Sequence, residues 1–296
     1  MKKLLALALF LLTVVPLARA ADPKAEAEAR AKILAPFLDD ETFAVVHLEV
    51  NPRNVDALVS RLTAIFKVNS AVLVPGKQLL NQWIADFNKA GGKDIYFLFN
   101  LEDVPLNPPF ALVPLSADAD AQALAGLLRQ KPLAFEVTRP IHQVLFAGSK
   151  AQAQRLDNFT PMPRPEVAKA LAAAGPGAAQ FLLLPPASAR RVIEEIMPTF
   201  PSEIGGGSTT ILTRGVRWAA LSYQTEPKLM LRLIIQSQDA ESAQQFKQLV
   251  EDVLDFVGTK TPVQQWLPNF GQTAEKLTPE VHGDRLTLTV DEQTLS

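Results

Sequence analysis

The chain contains three histidines, His47, His142 and His282. His47 and Glu49 are two residues apart in the strand-like run Phe43 to Val50, so their side chains share one face. An imidazole beside a carboxylate can act as a base or begin a metal site. A metal site usually needs a third protein ligand, and neither His-Glu-x-x-His nor a closely spaced histidine pair occurs. His47 therefore reads better as a partly exposed strand histidine. Arg214, Arg217 and Trp218 form a second cluster, since arginine beside an aromatic ring can stack on it or hold a carboxylate. Arg217 and Trp218 are neighbours on a strand and point to opposite faces, which places Trp218 in the core and the arginines in solvent. His47, Glu49, Arg214, Arg217 and Trp218 are thus candidate ligand or partner contacts. No residue is assigned a catalytic or metal-binding role, and no cofactor is expected.

Other chemistries lack their residues. There is no Gly-x-Ser-x-Gly nucleophile elbow; Ser149 and Ser208 follow a glycine without the rest of the motif. Gly205-Gly206-Gly207-Ser208 is not followed by the lysine of a phosphate loop and reads as a surface loop. The acid pairs Glu102-Asp103, Glu194-Glu195 and Glu251-Asp252 read as solvated faces. With no cysteine, disulfides and thiolate metal sites are excluded. The charges are scattered without a basic stripe, so no nucleic-acid partner is expected.

Residues 1–20 have the three parts of a secretory signal: Lys2 and Lys3, an apolar run from Leu4 to Leu17, and Ala18-Arg19-Ala20 before the cut. The run is about 14 residues where a bilayer span needs roughly 20, so cleavage rather than anchoring is expected. Removing Lys2, Lys3 and Arg19 leaves 26 basic against 31 acidic residues, a net of −5. The expected product is exported to the periplasm or beyond, with no membrane span.

The elements that must position the candidates repeat. Ile95–Phe99 and Val216–Leu221, Phe110–Leu115 and Leu231–Gln236, and Ser116–Asp120 and Ser237–Glu241 match without gaps at one offset of 121 residues. Ser-x-Asp-Ala-acid after an apolar strand caps a helix and places carboxylates at its positive end. Further matched elements are strands Phe43–Val50 and Gln180–Leu184, helices from about Asn54 to Phe66 and Ala187 to Met197, and Ala-rich helices Lys24–Leu38 and Pro165–Ala174. The first copy has an extra amphipathic helix from Gly76 to Asn88, with Leu79, Leu80, Trp83, Ile84 and Phe87 on one face. The expected fold is α+β, two tandem helix-strand-helix-strand-strand-helix-strand units. They form mainly antiparallel sheet with helices on one face, residues 21–157 and 166–296 flanking a linker at 158–165. In Lys228 to Gln236, Leu229, Leu231, Leu233 and Ile235 make a dry face, and Met230, Arg232, Ile234 and Gln236 a mixed one.

At Phe37–Leu48 and Arg214–Leu221 the chain resembles an uncharacterised family of exported bacterial proteins found in planctomycete-type genomes. The resemblance implies export and brings no activity, cofactor or site residue. Three functions are expected in descending order. The first is a non-enzymatic module that binds another exported protein or joins an envelope assembly. The second is a carrier of a small or lipid-like ligand held between the two repeats, and the third a hydrolase.

Overall fold

The computed structural model describes residues 22–51, 70–131, 133–224, 228–260 and 270–291. The signal sequence and the helix expected from Asn54 to Phe66 lie outside them. In chain order the elements are α1 (Pro23–Leu34), β1 (Thr42–Glu49), α2 (Ser70–Lys89), β2 (Asp94–Asn100), β3 (Phe110–Pro114), α3 (Ala121–Arg129), β4 (Val137–Ile141) and β5 (Val144–Gly148). Then come α4 (Lys150–Asp157), α5 (Pro165–Ala174), β6 (Ala179–Leu183), α6 (Ala187–Ile196), α7 (Thr210–Thr213), β7 (Val216–Gln224) and β8 (Met230–Ser237). The chain closes with α8 (Ala240–Gly258), α9 (Phe270–Leu277), β9 (Glu280–His282) and β10 (Arg285–Asp291).

Helix starts follow local chemistry. Asp22 caps α1 ahead of Pro23 at its first position. Ser149 and Gln152 form a reciprocal capping box on α4. Asp120 caps α3 and Asp239 caps α8. The two Ser-x-Asp-Ala-acid segments therefore use different acids, the last in one and the middle one in the other.

Among the described residues all the strands join one antiparallel sheet in the order β4-β5-β3-β2-β1-β6-β7-β8-β10-β9. Outward from the β1–β6 seam the two halves have the same strand order, and Val46 pairs with Phe181 at their junction. The ungapped offset does not carry over into the sheet. Phe97 packs on one face and its counterpart Trp218 on the other; Leu112 and Leu233 are likewise opposed. A shift of one residue turns every side chain to the other face, so this offset does not pair structurally equivalent positions.

Helices lie on both faces of the sheet, where sequence analysis placed them on one. The antiparallel α+β class stands. Both faces need cover because adjacent strand residues such as Ile234 and Ile235 are both buried, in different clusters. On the mixed face, Ala27 and Leu34 of α1 meet Val167, Ala170, Leu171 and Ala174 of α5 over Val45, Leu98, Leu182, Trp218 and Ala220. Small residues let these helices approach each other and the sheet closely. Each buried Val or Leu there contributes about 1.5–3 kcal/mol. On the dry face, Phe87 of α2 and Leu124 and Leu128 of α3 cover one side, and Ala243 of α8 the other.

The linker is pinned at the seam. Arg164 donates to the carbonyls of Asp39 at 2.6 Å and Thr42 at 3.1 Å, and Met162 N–H to Leu38 O at 2.8 Å. The chain's return from α4 to α5 is thereby fixed against the start of β1.

Candidate functional site

The seam carries two different arrangements on its two faces. On the mixed face, a row of paired residues crosses the central strands: Tyr96, His47, Gln180, Ser222, Arg232 and Thr289. His47 is 1% exposed, which corrects the expectation of a partly exposed histidine. Its Nε2 lies 2.6 Å from Asp94 Oδ1 and its Nδ1 3.1 Å from Gln180 Oε1. Arg30 of α1 donates to the same Gln180 oxygen at 2.9 Å, and Gln180 Nε2 donates to Gly175 O at 2.5 Å. Arg30 also pairs with Glu26 at 2.6 Å. The Tyr96 ring stacks on the imidazole at 4.8 Å. Ser222 completes the row by donating to Ala174 O at 2.8 Å.

These groups satisfy one another, as buried polar groups must. Burial pushes the Asp94 carboxyl up, but the hydrogen bond and charge of His47, with Arg30 and Lys93, outweigh it and hold it below the ordinary value of 3.8. Burial, reinforced by Asp94, raises the Tyr96 phenol. Both nitrogens of His47 are engaged and its ring is out of solvent, so it is not placed to abstract a proton from a substrate. Glu49 is exposed and is not among the partners of His47. Among the described residues no group of three His, Cys, Asp or Glu side chains is placed to hold a metal ion.

The arginine–tryptophan cluster also separates. Trp218 is 3% exposed within the mixed-face core. Arg214 binds Glu194 through Nε at 3.0 Å and a terminal nitrogen at 2.6 Å. The hydrogen bonds of Arg214 and Thr213 pull the Glu194 carboxyl down to about 2. Arg217 donates to Gln238 at 2.7 Å. These are surface pairs at the start of β7 and on the helices before it.

On the dry face, directly behind the polar row, the pairing aligns Ala111, Phe97, Val46, Phe181, Leu221, Leu233 and Leu288. This apolar row runs between α2 and α3 on one side and α8 on the other. Phe181 is 40% and Leu231 37% exposed, unusually open for a sheet interior. At the seam the surface deepens into a cavity of about 270 Å³. Leu48, Val50, Leu80, Trp83, Ile84, Ile95, Phe97 and Leu133 line it from the first half, with Ala178, Ala179 and Tyr223 from the second. Glu49 and Asn51 are the other described residues that border it. Trp83 is held in place by stacking on Phe87 at 5.0 Å and by donating its Nε1–H to Leu127 O at 3.4 Å.

The cavity walls come partly from readable signals. Leu80, Trp83 and Ile84 were on the expected apolar face of α2, although Leu79 is 62% exposed and does not join them. The contributions of Ala179 and Tyr223 depend on strand register across the seam, which has no local signal. A cavity lined this way can take an apolar molecule out of water; among the described residues its wall presents no nucleophile and no acid–base pair. Comparison with known proteins gives no match: no family profile, no curated protein and no solved structure is significantly similar to the chain.

Proposed function

We propose that the protein is an exported carrier of a small apolar or lipid-like molecule, bound on the dry face at the seam between its halves. One observation carries this: an apolar cavity of about 270 Å³ built from both halves. Ligand sites are commonly concave, mostly apolar and preformed. An apolar chamber of about 150 Å³ already takes benzene, so this one accommodates a molecule of roughly ten carbons. Export rests on the signal-like residues 1–20. The polar row behind the cavity supports binding indirectly, because His47, Gln180 and Asp94 alternate along their strands with Leu48, Ala179 and Ile95 of the wall.

Titration calorimetry with 1-decanol tests the proposal. Wild type binds it with a negative heat-capacity change, the mark of apolar burial. Ala179→Phe fills the chamber and abolishes binding while keeping the unfolding midpoint. Equal binding by a folded Ala179→Phe protein overturns the site assignment.

A second reading, docking of an exported protein, is favoured by α6. This helix has no buried residue, and Val192 is 46% and Ile196 80% exposed. Loss of a retained partner in Ile196→Ser would support it.

A further inference from the structure

We infer that one end of the sheet is a docking surface for a lipid bilayer of neutral headgroups. The first observation is a reversed amphipathic helix. A surface helix ordinarily turns its apolar side to the core. In α6 the polar side is the fastened one. Arg190 donates to the carbonyls of Pro185, Thr213 and Arg217. Glu194 accepts from Arg214 and from the Thr213 hydroxyl, both at 2.6 Å. Val192, Ile193 and Ile196 share another side of the helix, and all three are exposed.

The helix has a neighbour of the same kind. Ser188 of α6 donates to the Glu41 carboxylate at 2.7 Å, and the Glu41 carbonyl accepts from Leu101 N–H at 3.0 Å. Leu101 opens the β2–β3 loop, residues 101–109, in which Val104 and Leu106 are exposed, Leu106 to 88%. Asn107 N–H donates to Asp103 O and Gln152 to Pro108 O, each at 2.7 Å, which holds the loop in shape. Two aliphatic prongs thus flank Glu41, where β1 begins and β2 and β6 end. The cavity lies towards the other end of these strands, with Glu49 and Ala179, so the inference does not rest on the carrier reading.

Size and composition select the occupant. The five side chains together expose on the order of 500 Å². Each partner in a stable protein interface gives about 800 Å², and its anchors are most often Trp, Tyr or Arg. Here all five are Val, Leu or Ile. Insertion among acyl chains needs no complementary shape, only apolar side chains that stand out from the surface. The nearby charges are spent on one another: Arg155 on Glu102 and Asp103, Arg191 on Glu195, and Arg214 on Glu194. Paired in this way they form no basic patch to draw anionic lipid.

The test is flotation with phosphatidylcholine vesicles of the protein beginning at Ala21, the expected exported product. Residues 1–20 are left off because the apolar run from Leu4 to Leu17 would bind a bilayer by itself. The expected result is that wild type rises with the vesicles, and that Leu106→Asp combined with Ile196→Asp rises at least roughly 10-fold less. Both positions are exposed, so the double variant keeps its unfolding midpoint. Phe181→Ser, on the dry face, floats like wild type, and added phosphatidylglycerol changes flotation by less than about twofold. Wild type that stays in the soluble fraction overturns the inference, as does equal flotation of the folded double variant. Loss of flotation in Phe181→Ser alone moves the binding to the dry face and overturns it too. A strong gain from phosphatidylglycerol overturns the preference for neutral headgroups. A dimer, or a complex with an exported protein, that the double variant dissolves while wild type does not float gives the surface to a protein and overturns the lipid assignment.

Discussion

The two faces of the central sheet are built on opposite plans. The mixed face carries the polar row through His47, Gln180 and Ser222, yet it is the one sealed by α1 and α5. The dry face carries Phe97, Val46, Phe181, Leu221 and Leu233 in one row, yet Phe181 within it and Leu231 beside it stay more than a third exposed. If stability alone shaped the sheet, the dry face would be the better one to cover, since apolar burial is the dominant favourable contribution to folding. Instead, covering helices sit over polar groups that fix each other's geometry, and apolar surface is left for something else. Buried polar networks specify arrangement more than they add stability. On the proposed reading, the difference is that of a framework face and a binding face.

The contrast makes graded predictions. The largest effect belongs to the framework: Trp218→Ala removes a buried ring of the mixed face and should cost about 3–5 kcal/mol in urea unfolding. Phe181→Ser on the dry face, measured the same way, should cost well under half of that. Equal costs would erase the distinction between the faces.

Next is the polar row. Asp94→Asn should destabilise the protein by about 1–3 kcal/mol at pH 7. The folded-state pKa of Asp94 is depressed, so its contribution is full above the ordinary value of 3.8 and is lost as pH falls through the depressed one. The gap between wild type and Asp94→Asn should therefore close below about pH 4. A gap that persists there would mean that Asp94 acts through packing instead of charge.

The smallest effects lie at the outer hairpins, β4–β5 and β9–β10. Both turn through two residues with positive φ at the first, His142 at 53° in one and Gly283 at 64° in the other. Left-handed backbone costs glycine nothing and other residues about 1 kcal/mol. A Cβ on Gly283 would meet nothing within 4 Å, so the cost of Gly283→Ala is conformational alone. It should come to about 1 kcal/mol, with His142→Gly changing stability by less than about 0.5 kcal/mol. Thermal unfolding of the pair resolves the order.

Much of the framework was legible in the sequence. The alternation in Lys228 to Gln236 separated the dry face from the mixed one, and α5 begins and ends where expected, at Pro165 and Ala174. Proline at a first helical turn and a following glycine are strong local signals. The short strands β4 and β9 and the helix α4 were less so: three to eight residues hold too little periodicity. The repeat misled, because an offset read from residue matches does not show that a bulge between Val216 and Trp218 changes which face follows along β7.

The site was hidden for a related reason. His47 was noticed, but its partners Asp94 and Gln180 stand 47 and 133 residues away, beyond any motif. Glu49 was paired with His47 by strand alternation; the structure buries the histidine in the framework and leaves the glutamate exposed, opposite Asp94 across the strands. Arg214 and Arg217 drew attention as charges near an aromatic, and the sheet turned them away from it. The cavity itself exists only once β1, β2, β6 and β7 are in register under α2.

The most direct measurement is native mass spectrometry of the protein purified without detergent from cells that make it, beside Ala179→Phe prepared identically. The account predicts a small apolar molecule carried by the wild type and released on unfolding, and none on the filled variant. A wild-type protein that is bare and takes up no added 1-decanol would contradict it, and the open dry face would then need another explanation.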